Sequence, residues 1–164
     1  MNAALDVHYS GPEAHAACVV FKSWSDSMAV VSFRVLVPSA RAYRPGRFFE
    51  RELPPLLAVL ERSGERFSHI IIDGFVHLKN GEMGLGAHLH SVLPYSAAVI
   101  GVAKNPLAVA DCFVTINRGR SSKPLFVSAI GCALEEAAPA IAGMHGPYRI
   151  PTLLHLADRM ARDV

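Results

Sequence analysis

Apolar and polar residues alternate over residues 3–9, with Leu5, Val7 and Tyr9 on one face and Ala4, Asp6 and His8 on the other. That period of two predicts a strand with one face turned to a core. A break at Ser10-Gly11-Pro12 leads into a second apolar stretch, AHAACVVFKS. A third, MAVVSFRVLV, sets Val31, Phe33, Val35 and Val37 on one face. Short turns join the three, which predicts an antiparallel meander. The period then changes. Leu53, Leu56, Leu57 and Leu60 recur at helical spacing, and Pro54 and Pro55 suit a first helical turn. HIIIDG carries isoleucines without alternation, the mark of a strand buried on both faces. Residues 84–93 read as a short helix, AAVIGVAK as another buried strand, and KPLFVSAI as a further one. LEEAAPAIAGM and PTLLHLADRMARDV close the chain as helices. A meander followed by parallel βαβ crossovers predicts an α/β fold, a mixed sheet with flanking helices. No repeat, low-complexity tract or linker interrupts it, so residues 1–164 are expected to form a single domain.

Composition supports a chain that buries a core. It is 51% hydrophobic and 18% charged over 164 residues, which excludes a disordered polymer. No apolar run approaches the roughly 20 residues of a membrane helix. No basic region followed by an apolar core opens the chain, so no secretory signal is visible. The net charge of +2 permits a nucleic-acid partner without demanding one. Cys18, Cys112 and Cys132 are isolated and odd in number, which fits reduced thiols better than a disulfide framework or a zinc site. A cytoplasmic location is expected on those grounds.

Four acids change the picture. Asp6, Glu52, Asp73 and Asp158 each fall at the end or in the middle of an otherwise apolar element, where an unpaired carboxylate is costly. Carboxylates brought together repel one another, and a cation offsets that repulsion. Mg²⁺ takes oxygen ligands and keeps several waters, and paired ions clamp the attacking and leaving oxygens of a phosphodiester. Asp73 ends the isoleucine strand, where ligands of such sheets bind, and Gly74 beside it lets backbone or substrate approach closely. Each acid also has a plainer reading: a turn or strand-end residue for Asp6, a turn pair for Asp73-Gly74, a helix-dipole partner for Glu52, a solvated helix face for Asp158. Eight histidines raise zinc, but no HExxH spacing occurs, and His88 and His90 would diverge on a helix. Arg118, Arg120 and Lys123 in NRGRSSK are candidate phosphate contacts or a solvated turn. GEMGLG has neither the Walker nor the dinucleotide spacing.

Taken in order, LDVHYSG, YRPGRFFERE, IIIDG with His77 and GLGAHL, IGVAK, KPLFVS and RIPTLLHLADRMAR resemble the endonuclease V family over nearly the whole chain. These nucleases act on deaminated purine (hypoxanthine) nucleotides. The resemblance implies a ribonuclease H-like fold. It also implies Mg²⁺-dependent hydrolysis of a phosphodiester on the 3′ side of inosine in DNA or RNA, with Mn²⁺ substituting. Asp6 and Asp73 would hold the metal, Glu52 and Asp158 would complete the acidic shell, and Lys104 would stabilise charge on the phosphate. Tyr43 and Pro45, with Gly46, would form the wedge beside the lesion, and Gly74 and His77 would contact the strand.

The chain also departs from the family pattern. Arg44 stands where an apolar residue is usual, Leu78-Lys79 replaces a proline-arginine pair, AIGCALEE lacks a glycine-histidine, and His155 replaces an arginine. The stretch before Asp6 is shorter than is usual, and a homodimer is one way of covering the apolar surface that this leaves. Two other classes stay open: a non-catalytic relative that binds nucleic acid, and a nuclease of the same fold with another substrate such as a branched strand.

Overall fold

The structure is a computed structural model that describes residues 1–38 and 42–163. Strands β1 (Asn2–Ser10), β2 (Glu13–Phe21) and β3 (Val31–Val37) run antiparallel, as the alternation predicts. Gly11, at φ +58°, takes the left-handed turn between the first two, a conformation that costs glycine little. Helix α1 (Phe48–Ser63) leads to β4 (His69–Ile72), which lies parallel to β1. Then come β5 (His77–Leu78), a 3-10 turn at Lys79–Gly81, α2 (Leu85–Val92) and β6 (Ala98–Ala103), the last parallel to β4. The chain continues through β7 (Ala110–Asp111), β8 (Phe113–Ile116), β9 (Leu125–Ile130), α3 (Leu134–Ala142) and α4 (Thr152–Arg162). Val164, the last residue of the sequence-predicted helix, lies outside the described residues. Among the described residues the main sheet has the order β3-β2-β1-β4-β6-β9-β8, with β5 and β7 paired apart from it.

The central strands are apolar on both sides because both sides are covered. Ile70 and Ile72 face α1 and α2 together with Leu5, Leu56 and Leu89. Ile71 and Ile100 face the other way, onto Ile141, Leu153 and Ala157 of α3 and α4. Each such side chain contributes about 1.5–3 kcal/mol by leaving water. The flanking helices therefore clamp the sheet, and residues just past the strand ends are held in register with one another.

Three details differ from the sequence expectation. KPLFVSAI is a strand, but it runs antiparallel to β6 rather than extending the parallel series. The β8 strand has no strong signal, being four residues long and exposed over Phe113, Val114 and Thr115. Helix α1 begins at Phe48, so Pro54 and Pro55 lie inside it and not in its first turn. A proline there leaves the carbonyl four residues earlier without its helical donor. For Pro55 that carbonyl is Arg51 O, and the Tyr9 hydroxyl donates to it at 2.9 Å. A group from β1 thus completes a bond that the helix cannot make itself. Among the described residues no helix is long and apolar enough to cross a membrane, and Cys18, Cys112 and Cys132 are free.

Candidate active site

Parallel register brings the first three groups together. Ala4 of β1 stands opposite Ile71 of β4, so Asp6 comes level with Asp73, one residue past that strand. Ile72 in turn pairs with Gly101 of β6, whose end delivers Lys104. Asp6, midway along β1, therefore stands beside Asp73 and Lys104, which follow the carboxyl ends of the parallel strands β4 and β6, and the three line one small cavity. Helix α4 packs on β1 and adds Asp158. Lys104 Nζ stands 2.9 Å from Asp73 Oδ2 and 3.5 Å from Asp158 Oδ1. Asp158 also accepts from Arg162 Nε at 3.1 Å, one helical turn on. Asp6 and Asp73 thus line the same cavity.

Glycines let the strand ends close up. A Cβ on Gly101 would strike the Gly74 carbonyl and come within 2.7 Å of Ser128 Oγ. Ser128 is fully buried, and its hydroxyl accepts from Val76 N at 3.0 Å. The segment that carries Asp73 is thereby pinned across β6 to β9. Gly74 itself sits at φ +141°, outside the range of ordinary side chains.

Charge in the cluster is out of balance. Burial, the hydrogen bond shared with Asp158 and the charge of Asp73 push the Asp6 carboxyl up to about 7, against the pull of Lys104. Burial works on Asp158 in the same sense. There the hydrogen bond from Asp6, with Lys104 and Arg162, outweighs it and holds Asp158 below the usual carboxylate range. The two carboxyls are thus pushed in opposite directions, Asp6 up and Asp158 down. Burial works to lower Lys104, but Asp73, Asp6 and Asp158 together raise the ammonium above its ordinary value.

Glu52 approaches from α1, in the fifth position of the helix rather than before it. It is 8% exposed. Burial first, with a contribution from Asp73, pushes it up to about 7 against Tyr9 and Arg51. Burial and the Glu52 carboxylate also raise the Tyr9 phenol. The single Tyr9 proton goes to Arg51 O, and Glu52 is its alternative acceptor. The Arg51 guanidinium stacks on the Tyr9 ring, 3.6 Å from its centroid. Neither Tyr9 nor Arg51 is marked in the sequence; only the placement of Tyr9 on the Leu5 and Val7 face hints at it. Asp6, Tyr9, Glu52 and Asp73 border a cleft of about 270 Å³.

Beside that cleft lies an apolar pocket of about 230 Å³, whose wall includes Tyr43, Gly46, Phe48, Gly74 and Phe75. Tyr43 is 56% exposed and meets Phe48 edge-on, at 6.5 Å between centroids. Pro45 and Gly46 make the turn into α1, with Gly46 at φ +75° and Arg47 N donating to Arg44 O at 3.0 Å. Arg44 is taken up by Glu50, 4.0 Å away, and Arg47 by the same carboxylate at 2.8 Å. His77 falls in β5 and not in a loop, paired with Asp111 and bridged to Met83. Arg118 is not a phosphate contact. It is 6% exposed and its donors all go to main-chain carbonyls. Arg120 and Lys123 stay in the exposed and partly exposed turn.

A hard divalent cation suits this donor set, which is all carboxylate and includes two acids, Asp6 and Glu52, that burial pushes up to about 7. Among the described residues, no three His, Cys, Asp or Glu side chains stand close enough together to ligate one ion as they are. Lys104 supplies the positive charge at the centre of the group instead.

The class of protein follows from an α/β sheet that carries a carboxylate cluster beside a lysine, next to an apolar pocket. The chain belongs to the endonuclease V family, a family of nucleases, whose model it matches over residues 1–116. That span includes Asp6, Glu52, Asp73 and Lys104 and stops before Asp158. It is similar to endonuclease V of Ciona intestinalis in complex with a 24mer DNA containing an inosine followed by a ribo-adenosine. The identity is 22% and the TM-score 0.80, over 98% of this chain and 83% of that one. It is 25% identical to endonuclease V of Streptomyces avermitilis, with a TM-score of 0.78 over 98% of this chain and 78% of that one. Human endonuclease V matches at 20% identity and a TM-score of 0.78, over 99% of this chain and 82% of that one. No curated protein matches the sequence.

Proposed function

We propose that the chain is a Mg²⁺-dependent endonuclease that hydrolyses a phosphodiester on the 3′ side of a deaminated purine, inosine, in a DNA or RNA strand. One observation carries this reading: Asp6 of β1 and Asp158 of α4 meet Asp73 and Lys104, which follow β4 and β6, beside a pocket with a Tyr43 wall. The Ciona relative with its inosine-containing DNA supports the choice of substrate. The free thiols suit action in the cytoplasm.

Asp6 and Asp73 would hold the ion, with Glu52 and Asp158 completing the acidic shell, and Mn²⁺ is expected to substitute. When bound, the ion polarises the phosphate and lowers the pKa of an attacking water. The chain's own residues do the remainder. Positive charge held beside Asp6 would favour its ionised carboxylate, against the burial that raises it. Lys104 neutralises charge that develops on the phosphate oxygens. Tyr43 offers a flat face to a displaced base, Pro45 stiffens the turn that carries it, and Gly46 and Gly74 add no side chain to the pocket wall at their own positions. His77 contacts the strand farther along.

The test is cleavage of matched oligonucleotides, with and without one inosine, in Mg²⁺. The chain is expected to cut only the inosine strand, on its 3′ side, and Asp73→Ala is expected not to cut. Equal rates for the chain and Asp73→Ala sink the reading. A second reading, binding without turnover, is favoured by Lys104 Nζ, which already fills the space between Asp73 and Asp158. Retention of inosine strands with no cut in Mg²⁺ or Mn²⁺ selects that one.

A further inference from the structure

Arg118 and Arg149 lie outside the acidic cluster, and both spend their donors on main-chain carbonyls. Arg118 donates through Nε to Ala142 O at 3.1 Å and through Nη1 to Tyr148 O at 2.8 Å and Arg149 O at 3.2 Å. Its Nη2 donates to Met144 O and, at 3.3 Å, to Gly146 O. One buried guanidinium thus holds most of the loop between α3 and α4. The loop also rests on Gly119, where a Cβ would strike Pro147 O.

Arg149, near the end of that loop, reaches the other way. Its Nη2 donates to Lys104 O and to Pro124 O, the latter at 2.8 Å. It ties the chain leaving β6 to the chain entering β9. Its Nε is buried with no protein partner. An unpaired buried donor is costly, so the side chain is held in place by the two carbonyls its Nη2 grips and not by full satisfaction of its donors.

We propose that Arg149 is a positioning residue for Lys104. By holding the Lys104 carbonyl it fixes where the strand ends, and so keeps Nζ between Asp73 and Asp158. It touches neither strand nor cation. The Arg118 clamp makes the loop a firm anchor, and the same loop runs into α4, which carries Asp158. The lysine and one of its acids are thus registered to a single scaffold. The catalytic consequence rests on the nuclease reading; the structural one does not.

The experiment compares the chain with Arg149→Gln and Arg149→Lys in two measurements. In the first, on the inosine strand in Mg²⁺, kcat of Arg149→Gln is expected to fall about tenfold or more with KM held within about twofold, and Arg149→Lys to lie between. A merely structural role would instead lower the active fraction and leave the kcat of the folded remainder unchanged. The second needs no turnover. Lysines are reductively ¹³C-methylated, and the Lys104 signal is assigned by its loss in Lys104→Arg. That signal is expected to stand apart from those of Lys22, Lys79 and Lys123, and to move toward them in Arg149→Gln. A Lys104 signal and a kcat both unchanged in Arg149→Gln overturn the proposal. If Arg149→Gln does not fold, the same two measurements on Arg149→Lys decide it. If the signal moves while the chain cuts no strand, the nuclease reading fails and the positioning role stands.

Discussion

Glu52→Gln isolates the cost of a charge in the cleft. Glu52 is 8% exposed and ionises only near pH 7 in the fold, against 4.5 for the ordinary side chain, chiefly because it is buried. In metal-free buffer the folded chain thus holds a proton that the unfolded chain has already lost. A group raised in this way contributes stability that is fully present below about pH 4 and is lost as pH rises through about 7. At about 1.4 kcal/mol per unit, the shift makes the ionised side chain about 3 kcal/mol less favourable in the fold than in the unfolded chain. Most of that, about 2–3 kcal/mol, is lost between pH 5 and pH 8. Glutamine has the same shape and no proton to lose. The assay is urea unfolding in EDTA at pH 5 and at pH 8, for the chain and for Glu52→Gln. The chain is expected to lose about 2–3 kcal/mol more than the variant over that interval. A loss with the same sign remains in both, from Asp6, which is likewise raised to about 7. Equal losses in the two proteins would refute the reasoning, because Glu52 would then be ionised in the fold like any exposed acid.

Three further outcomes are expected. Lys104→Met removes the ammonium from among the acids; cleavage of the inosine strand should fall by about 10²–10³ while Mn²⁺ binding, measured by calorimetry, is retained or strengthened. Arg118→Met leaves the carbonyls of the 142–149 loop without donors, and urea unfolding at pH 7 should report a loss of about 3 kcal/mol or more. Gly101→Ala drives a methyl group against the Gly74 carbonyl and Ser128, so cleavage should drop sharply through displacement of Asp73, and the melting temperature should fall as well.

Much of the sheet was legible because burial on one face or two writes itself into the period. Alternation over residues 3–9 and the unbroken isoleucines before Asp73 mark strands whose faces the helices later cover. The acids stand out in the sequence for a related reason: a carboxylate at the end of an apolar run is costly unless it finds a partner. The misread parts depend on partners far along the chain. Tyr9 caps a carbonyl 42 residues away, and Arg149 holds one 45 residues away. No local pattern reports either contact. Arg118 looked like a surface cation because it sits in a polar turn, and the loop that buries it comes about 25 residues later. The prolines of α1 misled through position alone, since they suit a first turn and the helix starts six residues before them. The β8 strand was passed over because an exposed edge strand shows no alternation that burial would impose.

The most direct test is a crystal of the chain grown with Mn²⁺, with anomalous scattering measured at the manganese edge. The expected result is an ion ligated by Asp6 and Asp73 together, with Lys104 Nζ moved off Asp73 to admit it. Manganese found elsewhere, or Asp6 and Asp73 failing to reach one ion at saturating concentration, would contradict it.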